Sequence, residues 1–381
     1  LGKHAAELLP PLGNMPDVEL HLVTPRWAGG PVQETLGQAT IHRVDPPVVE
    51  GDTYTSAWQT NLRLEEYGHS IWQEFGPFDL VHVHDWLDAF VGAALKRTYK
   101  VPLVSTIHAT ERGRGRGHLG SNQSRAIHHV EWWLAFESWR VIACSSYMKE
   151  EIADYFQTPL DKIDVVPNGV ETTRFDQLRG TDLAHFRNMY ALPSEQILFS
   201  VGRVVYEKGL QVLVRAMPLI LAQNHDAKLV IAGKGPELGT LRSLAWSLNV
   251  GEKVLFTGFI ADEDRDRLFK VADCAVFPSL YEPFGIVALE AMAARCPVVV
   301  SEVGGLRDVV QHAETGITVY PDNAVSLAWG ILHTLQHPVW AAARVENAYR
   351  VVCEEYNWER IAQTTADVYR QVIDERAISA W

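Results

Sequence analysis

Several things are scarce in this sequence, and each shortage closes off a class of protein. Four cysteines occur in 381 residues, none in a Cys-x-x-Cys pair. Cys144, Cys274, Cys296 and Cys353 therefore read as reduced core residues, not as a disulfide framework or a zinc cluster. No apolar run is long enough to span a bilayer, and nothing near Leu1 has the charged-then-apolar pattern of a secretory leader. A cytoplasmic protein is the expectation. Basic charge is scarce: 34 lysines and arginines against 47 aspartates and glutamates leave a formal net charge of −13. Nucleic acid or an anionic membrane needs a positive field that so acidic a chain lacks. A local basic pocket for a phosphate is compatible with that balance. Low-complexity tracts are missing too, and 47% hydrophobic with 21% charged residues is the balance of globular domains. The length has room for two of them.

What the sequence does have is alternation. Short β-branched runs take turns with helical patterns, which argues for parallel sheets covered by helices. In the first half the expected strands are 19–24, 79–83, 103–107, 141–144 and 164–166, with amphipathic helices over 58–75 and 123–138. A second series follows Pro193, at 197–201, 228–232, 254–257, 274–277 and 298–301. The fold class expected is α/β, with two doubly wound, Rossmann-like parallel-sheet domains. Their bounds are 1–170 and 193–356, joined by a connection over 171–192 that is rich in Gly, Thr, Asp and Arg. A last helix lies in 357–381, with Trp358, Ile361, Val368, Tyr369 and Val372 spaced for one buried face. The chain opens on a helix already under way. A domain of this type ordinarily starts with a strand, so its first strand and glycine turn are expected to be missing.

Open α/β sheets bind ligands beyond the carboxyl ends of their strands, which directs attention to the residues just after each one. Strand 197–201 runs into Gly202-Arg203, with Lys208-Gly209 close behind. Two cations at one strand end suit a diphosphate, arginine gripping two oxygens and lysine acting as a point charge. A solvated turn with two surface cations is an equally plain reading. Strand 228–232 ends in Gly233-Lys234-Gly235-Pro236-Glu237, a glycine-rich turn with Pro236 well placed to start a helix; alone it is an ordinary tight turn. After strand 274–277, Glu282-Pro283-Phe284-Gly285 opens a helix over 286–294. Pro283 keeps Glu282 extended, so its carboxylate projects from the loop. The N–H groups around Gly285, Ile286 and Val287 form a natural anion site. Glu290 sits roughly 10 Å further along the axis, wide for a retaining-glycosidase pair at about 5 Å but suited to two contacts on one long ligand. A capping glutamate plus a helix-face glutamate is the bland alternative. Glu290 is flanked by apolar residues, however, and a buried carboxylate needs a partner. Paired glycines recur in Gly304-Gly305-Leu306-Arg307-Asp308.

In the first half, strand 79–83 leads to His84-Asp85-Trp86 and strand 103–107 to His108. His82 and His84 share a strand face, but no third ligand has recognisable spacing, and no metal site is expected. Asp85 and His108 read as polar groups aimed into a cleft, while Trp86 caps Asp85 or stacks on a sugar ring. Glu111-Arg112-Gly113-Arg114-Gly115-Arg116-Gly117-His118 reads as a mobile loop, either plain surface or a lid.

Gly202-Arg203…Lys208, Glu282-Pro283-Phe284-Gly285…Glu290 (E-x7-E), Gly304-Gly305 and Pro167-Asn168-Gly169-Val170 together resemble retaining glycosyltransferases of the GT-B fold. They are of the family 4 type, and His84-Asp85-Trp86 and His108 lean toward its glycogen- and starch-synthase relatives. The resemblance spans nearly the whole chain. It implies two domains facing across a cleft, with the last helix crossing back to the first. It implies that Arg203 and Lys208 bind the diphosphate of a nucleotide-sugar donor, that Glu282 lies by the donor sugar and that Glu290 bonds the ribose. Phe284, Gly285, Ile286 and Val287 would add phosphate and sugar contacts, and Gly233, Gly235 and Ile260 would border the base. Asp85 and His108 would stand near acceptor and reacting centre, with Gly2, Lys3, Asp85 and Trp86 as the acceptor or phosphate loop.

The function implied is retaining, metal-independent transfer of an α-hexose, glucose favoured, from ADP- or UDP-glucose to an α-glucan or other sugar hydroxyl. No cofactor is expected, the nucleotide sugar being a substrate, and no nucleic acid or membrane partner. Alternatives are a sucrose-phosphate-type or cell-surface polysaccharide transferase, a GT-B nucleotide-sugar epimerase or hydrolase, and a non-catalytic nucleotide-sugar binder.

Overall fold

A computed structural model describes residues 2–27, 29–48 and 51–379. The chain forms two compact units, Leu1–Gly169 with Trp358–Trp381, and Val170–Asn357.

The first unit contains two sheets. Strands β1 (His21–Pro25), β2 (Gln33–Leu36) and β3 (Ala39–Val44) pair in the order β1-β3-β2, with β1 and β3 parallel and β2 antiparallel. Strands β4 (Val81–His84), β5 (Leu103–Ile107), β6 (Arg140–Ala143) and β7 (Ile163–Val165) form a parallel sheet in that order. Every residue of β5 is buried, as expected of an inner strand covered on both faces. The β2–β3 hairpin is absent from the sequence expectation. Its outer strand, Gln-Glu-Thr-Leu, alternates between exposed and half-buried positions and carries too little apolar character to stand out.

The helix Trp358–Ala377 belongs to this first unit although it comes last in the chain. It packs with the opening helix, Gly2–Gly13, over the sheet in one apolar cluster of Leu8, Leu12, Val104, Ile142, Val166, Ile361, Ala366 and Val372. Trp358 is 5% exposed and anchors the helix start. Its Nε1–H donates to Glu7 Oε2 at 2.9 Å, and its ring lies against Gly169, where a Cβ would stand 2.8 Å from the indole.

The second unit is one parallel sheet of β8 (Gln196–Val201), β9 (Ala227–Ala232), β10 (Val254–Gly258), β11 (Cys274–Phe277), β12 (Val298–Ser301) and β13 (Ile317–Val319). The order is β10-β9-β8-β11-β12-β13. Successive strands add outward from β8 to β10, and then β11 returns to the other side of β8. The β8/β11 boundary is thus the topological switch point, where such sheets open a ligand crevice. Leu198, Leu213, Met217, Leu229, Ile231, Val276, Val299 and Ile331 are among the side chains filling its core. The three-residue β13 is too short for its pattern to be recognised in advance.

Segment 171–192, expected as a connection, is folded into the second unit. It forms short helices Thr173–Asp176 and Ala184–Arg187, and its Phe175 and Phe186 are buried. Apolar side chains within a polar stretch docked it. None of the four cysteines is in a disulfide, and three are buried. Among the described residues, no helix is long and apolar enough to cross a membrane.

Trp358→Ala removes a buried aromatic and a hydrogen bond from the seam of the first unit. A loss of about 3–5 kcal/mol is expected, read as a lower urea midpoint for that unit; an unchanged midpoint would show that the helix is not anchored there.

Candidate functional site

In the second unit the switch point gathers three loops. Lys208 closes the 3-10 turn Tyr206–Lys208 after β8, and its Nζ donates to Glu282 Oε2 at 2.7 Å. Ser279 Oγ, just after β11, donates to the same oxygen at 3.0 Å. Backbone bonds lock the loops: Leu280 N–H donates to Glu207 O at 2.8 Å, and Gly305 N–H to Glu282 O at 2.9 Å. Such contact is sterically possible only without side chains. A Cβ on Gly209 (φ +66°) would lie 1.8 Å from Pro278 O, and one on Gly304 (φ +50°) 2.0 Å from Glu282 O. Glu282 is 7% exposed, so Lys208 and Ser279 supply the polar partners its burial demands.

Helix Ile286–Ala293 starts directly beyond, with Gly285 at φ +110° as its N-cap. Its first-turn N–H groups and dipole favour an anion. Phe284 is 4% exposed and packs edge-on against Tyr356, so its ring fills the core and only its backbone faces the loop chemistry. Arg203 differs from Lys208: its side chain is 68% exposed, 3.5 Å from Glu207. Gly233 N–H donates to Gly258 O at 2.7 Å, bringing the Gly233–Gly235 turn beside the segment that carries Ile260.

Glu290, 2% exposed, lies in a charge cluster. Arg174 Nη2 donates to its Oε1 at 2.9 Å, with Arg265 Nη2 at 3.7 Å. Asp266 completes the group, 2.9 Å from Arg265 and 3.5 Å from Arg174. Arg174, Arg265 and Asp266 were not among the expected residues. Arg174 sits in the stretch taken for a connection, and the others in a helix whose charges look like a solvated face.

In the first unit β4 and β5 end side by side. Asp85, at φ +58°, accepts the His108 N–H on Oδ1 at 2.7 Å, and burial pushes its carboxyl above the usual carboxylate range. His84 Nδ1 and His108 Nε2 are 3.1 Å apart. His4, from the opening helix, packs edge-on against both rings, and its Nδ1 is 2.6 Å from Asn168 Oδ1. His82 is held by Tyr369 Oη at 2.6 Å and Thr106 Oγ1 at 2.8 Å. Desolvation keeps these imidazoles neutral, pushing His4 down to about 4 and His82 to about 3, with His84 and His108 also well below their ordinary value.

Two expectations for this unit need correction. Trp86 is 6% exposed and packs with Val83, Ala89, Leu103 and Leu134, so it is a core side chain and presents no face to a sugar. The loop 111–118 is not a slack lid. Thr110 caps a short helix, Glu111–Arg114, and the Glu111 N–H donates to both Glu131 carboxylate oxygens at 2.8 and 3.1 Å. Gly2 and Lys3 lie at the start of the opening helix, and the residue that this helix sends into the histidine cluster is His4.

Residues 1–174 match Glycosyltransferase Family 4 and residues 186–351 match Glycosyl transferases group 1. An uncharacterized glycosyltransferase of Methanocaldococcus jannaschii is 45% identical over 77% of this chain and 75% of its own length. The chain belongs to the group 1/family 4 glycosyltransferases. The glycogen synthase of Mycobacterium tuberculosis is 37% identical to this glycosyltransferase over 82% of the chain and 72% of the relative. Among solved structures, sucrose-phosphate synthase from Thermosynechococcus elongatus superimposes with a TM-score of 0.81 at 27% identity, covering 96% of this chain and 92% of that one. Anabaena HepE in complex with UDP and glucose matches in fold, with a TM-score of 0.73 at 20% identity over 87% and 86% of the two chains. The fold is GT-B, with two Rossmann-like domains.

Glu131 gives this glycosyltransferase a pH dependence. Burial raises its carboxyl to about 8 in the folded state, against about 4.3 unfolded. The folded state holds the proton longer, so its stabilisation is full below the unfolded value and is lost as pH rises toward 8. At about 1.4 kcal/mol per pH unit, wild type should lose a few kcal/mol between pH 5 and pH 8 relative to Glu131→Gln, which keeps an oxygen for the Glu111 N–H. Urea midpoints for both proteins at the two pH values check this, and parallel behaviour would refute it.

Proposed function

We propose that this glycosyltransferase moves an α-hexose, glucose favoured, from ADP- or UDP-glucose to a hydroxyl of an α-glucan or related sugar, with retention and without a metal. The observation that carries this reading is the Lys208–Glu282 pair, 2.7 Å apart beside the start of helix Ile286–Ala293. It joins a cation, a helix N-terminus and a carboxylate at the switch point of a parallel sheet, the combination that a sugar diphosphate requires.

Lys208 and the helix N-terminus take the diphosphate, and the exposed Arg203 swings onto it. Glu282, held by Lys208 and Ser279, lies by the sugar. Glu290 serves the ribose: a carboxylate has about four lone-pair sites, so pairing with Arg174 leaves capacity for hydroxyls while fixing its position. The bond from the sugar C1 to the phosphate oxygen breaks and the acceptor oxygen bonds C1 on the same face. The acceptor's proton passes to the departing phosphate. The nucleoside diphosphate leaves with the developing negative charge, and stabilising that charge is where Lys208, Arg203 and the helix N-terminus act. Asp85 and His108 are the polar groups for acceptor and reacting centre. The relative named glycogen synthase supports a glucan acceptor, and the fold match to HepE with UDP and glucose supports a nucleotide-sugar donor. Relatives named D-inositol 3-phosphate glycosyltransferase, such as that of Rhodococcus jostii, and sucrose-phosphate synthase make phosphorylated acceptors the rival reading.

Losing a cationic donor at a developing charge costs about 3 kcal/mol, so Arg203→Ala and Lys208→Ala should each lower turnover ~100-fold or more. Wild-type-like rates in both would remove the diphosphate assignment, and unchanged donor affinity and turnover in Glu282→Gln would remove that residue from the sugar. A panel of ADP-, UDP- and GDP-sugars with glucan, monosaccharide and sugar-phosphate acceptors tests the reaction. Product without any acceptor would point to a hydrolase or epimerase, and donor binding with no turnover to a binder.

A further inference from the structure

We infer that His4, His84 and His108 form a binding site for a late first-row divalent cation of the zinc class. One ring nitrogen from each lies within 4.8 Å of one from each of the others. His84 Nδ1 and His108 Nε2 stand 3.1 Å apart. Two imidazole nitrogens on one tetrahedral zinc, each at about 2.0–2.1 Å, would stand ~3.3 Å apart. That pair therefore already has close to ligand spacing, and His4 has only a short distance to close.

The supports are those of a ligating set. A metal-bound histidine ordinarily gives its other ring nitrogen to an oxygen acceptor, which fixes its tautomer. Asn168 Oδ1 holds His4 Nδ1 at 2.6 Å in that way, leaving Nε2 as the donor to a metal. His82 stacks on His84 at 4.5 Å and is itself held by Tyr369 and Thr106, so the His84 ring is backed. The three rings come from a helix and two adjacent strand ends, elements that hold their geometry. In the metal-free protein one proton lies between His84 and His108; on binding it moves to the outer nitrogen of its own ring, and both facing lone pairs reach the cation. Three neutral imidazoles without a carboxylate favour zinc, copper, nickel or cobalt over magnesium or calcium. With three protein ligands the cation keeps an open position for water.

The cation would also tie up His108. Under the proposed function, where His108 stands near the reacting centre, occupancy blocks transfer and the site is inhibitory. That consequence rests on the proposed function; the binding does not.

The test titrates the full chain with Zn2+ alone by calorimetry and with Co2+ by visible absorption. One equivalent is expected, with the intense ligand-field bands of four-coordinate Co2+. His4→Gln should weaken binding at least tenfold. His337→Gln should leave it unchanged, which controls for surface chelation by the His333/His337 pair, whose rings are 4.6 Å apart. Asn168→Ala, which keeps all three imidazoles, should weaken it 10–100-fold and covers the case of His4→Gln failing to fold. Absence of a one-to-one Co2+ band in wild type, or binding lost in His337→Gln and kept in His4→Gln, would overturn the site. Turnover should fall with the same half-saturation as calorimetric binding. His4-dependent binding without inhibition would keep the site and remove His108 from the reaction.

Discussion

The second unit is organised around one constraint: the carboxylate of Glu282 is buried and must keep its charge partners. Lys208 and Ser279 meet it on a single oxygen, and the backbone beneath it is pinned by the bond from Gly305 to its carbonyl. Unpaired, such a carboxylate would cost several kcal/mol of desolvation. The loops after β8, β11 and β12 are therefore not independent turns. Those after β8 and β11 supply the carboxylate's partners and that after β12 pins its backbone, and glycines at 209 and 304 allow the loops to approach backbone to backbone. A ligand arriving here meets groups already fixed, which is the condition for electrostatic stabilisation of a leaving group without reorganisation.

Glu290 shows the same logic one layer deeper. Its helix is apolar on nearly every side, so its charge is tolerable only because Arg174 and Arg265 reach it, and Asp266 balances the second arginine. Arg174 is delivered by the segment just after the chain enters the second unit, so folding of that short stretch and positioning of Glu290 are coupled. A residue at the ribose would gain from this: a carboxylate clamped by two guanidinium groups loses little freedom when it takes hydroxyls.

How far the sequence was legible follows from the range of each signal. The parallel strands β8 to β12 were visible because their inner members are continuous apolar runs, and the E-x7-E spacing because it is local. The β2–β3 hairpin was not, since half the side chains of β2 are exposed and dilute the pattern. Arg174 could not be assigned, because its partner Glu290 lies 116 positions away and only the fold brings it to Glu290 and Asp266. His4 was missed for the same reason; a helical histidine next to an apolar face looks like a core residue until Asn168 and His84 are placed beside it. Trp86 failed in the opposite direction. An aromatic following Asp85 invites a sugar-stacking reading, yet the packing needs of Val83, Leu103 and Leu134 took the ring inward.

The candidate sites of the two units meet the cost of polar burial by opposite means. In the second unit opposite charges are paired, Lys208 with Glu282 and Arg174 with Glu290. In the first, burial strips the charge away: His4, His82, His84 and His108 are held neutral, and Asp85 and Glu131 are drawn toward their protonated forms. Paired charges would suit the diphosphate of the proposed function, since Lys208 is already held in place by Glu282. Neutral imidazoles suit hydrogen bonding to hydroxyls, because each ring can donate at one nitrogen and accept at the other. Under the proposed function a strongly acidic chain can thus take an anionic donor: its net charge of −13 is a property of the whole surface, while Lys208, Arg203 and one helix end would set the field that the phosphates feel.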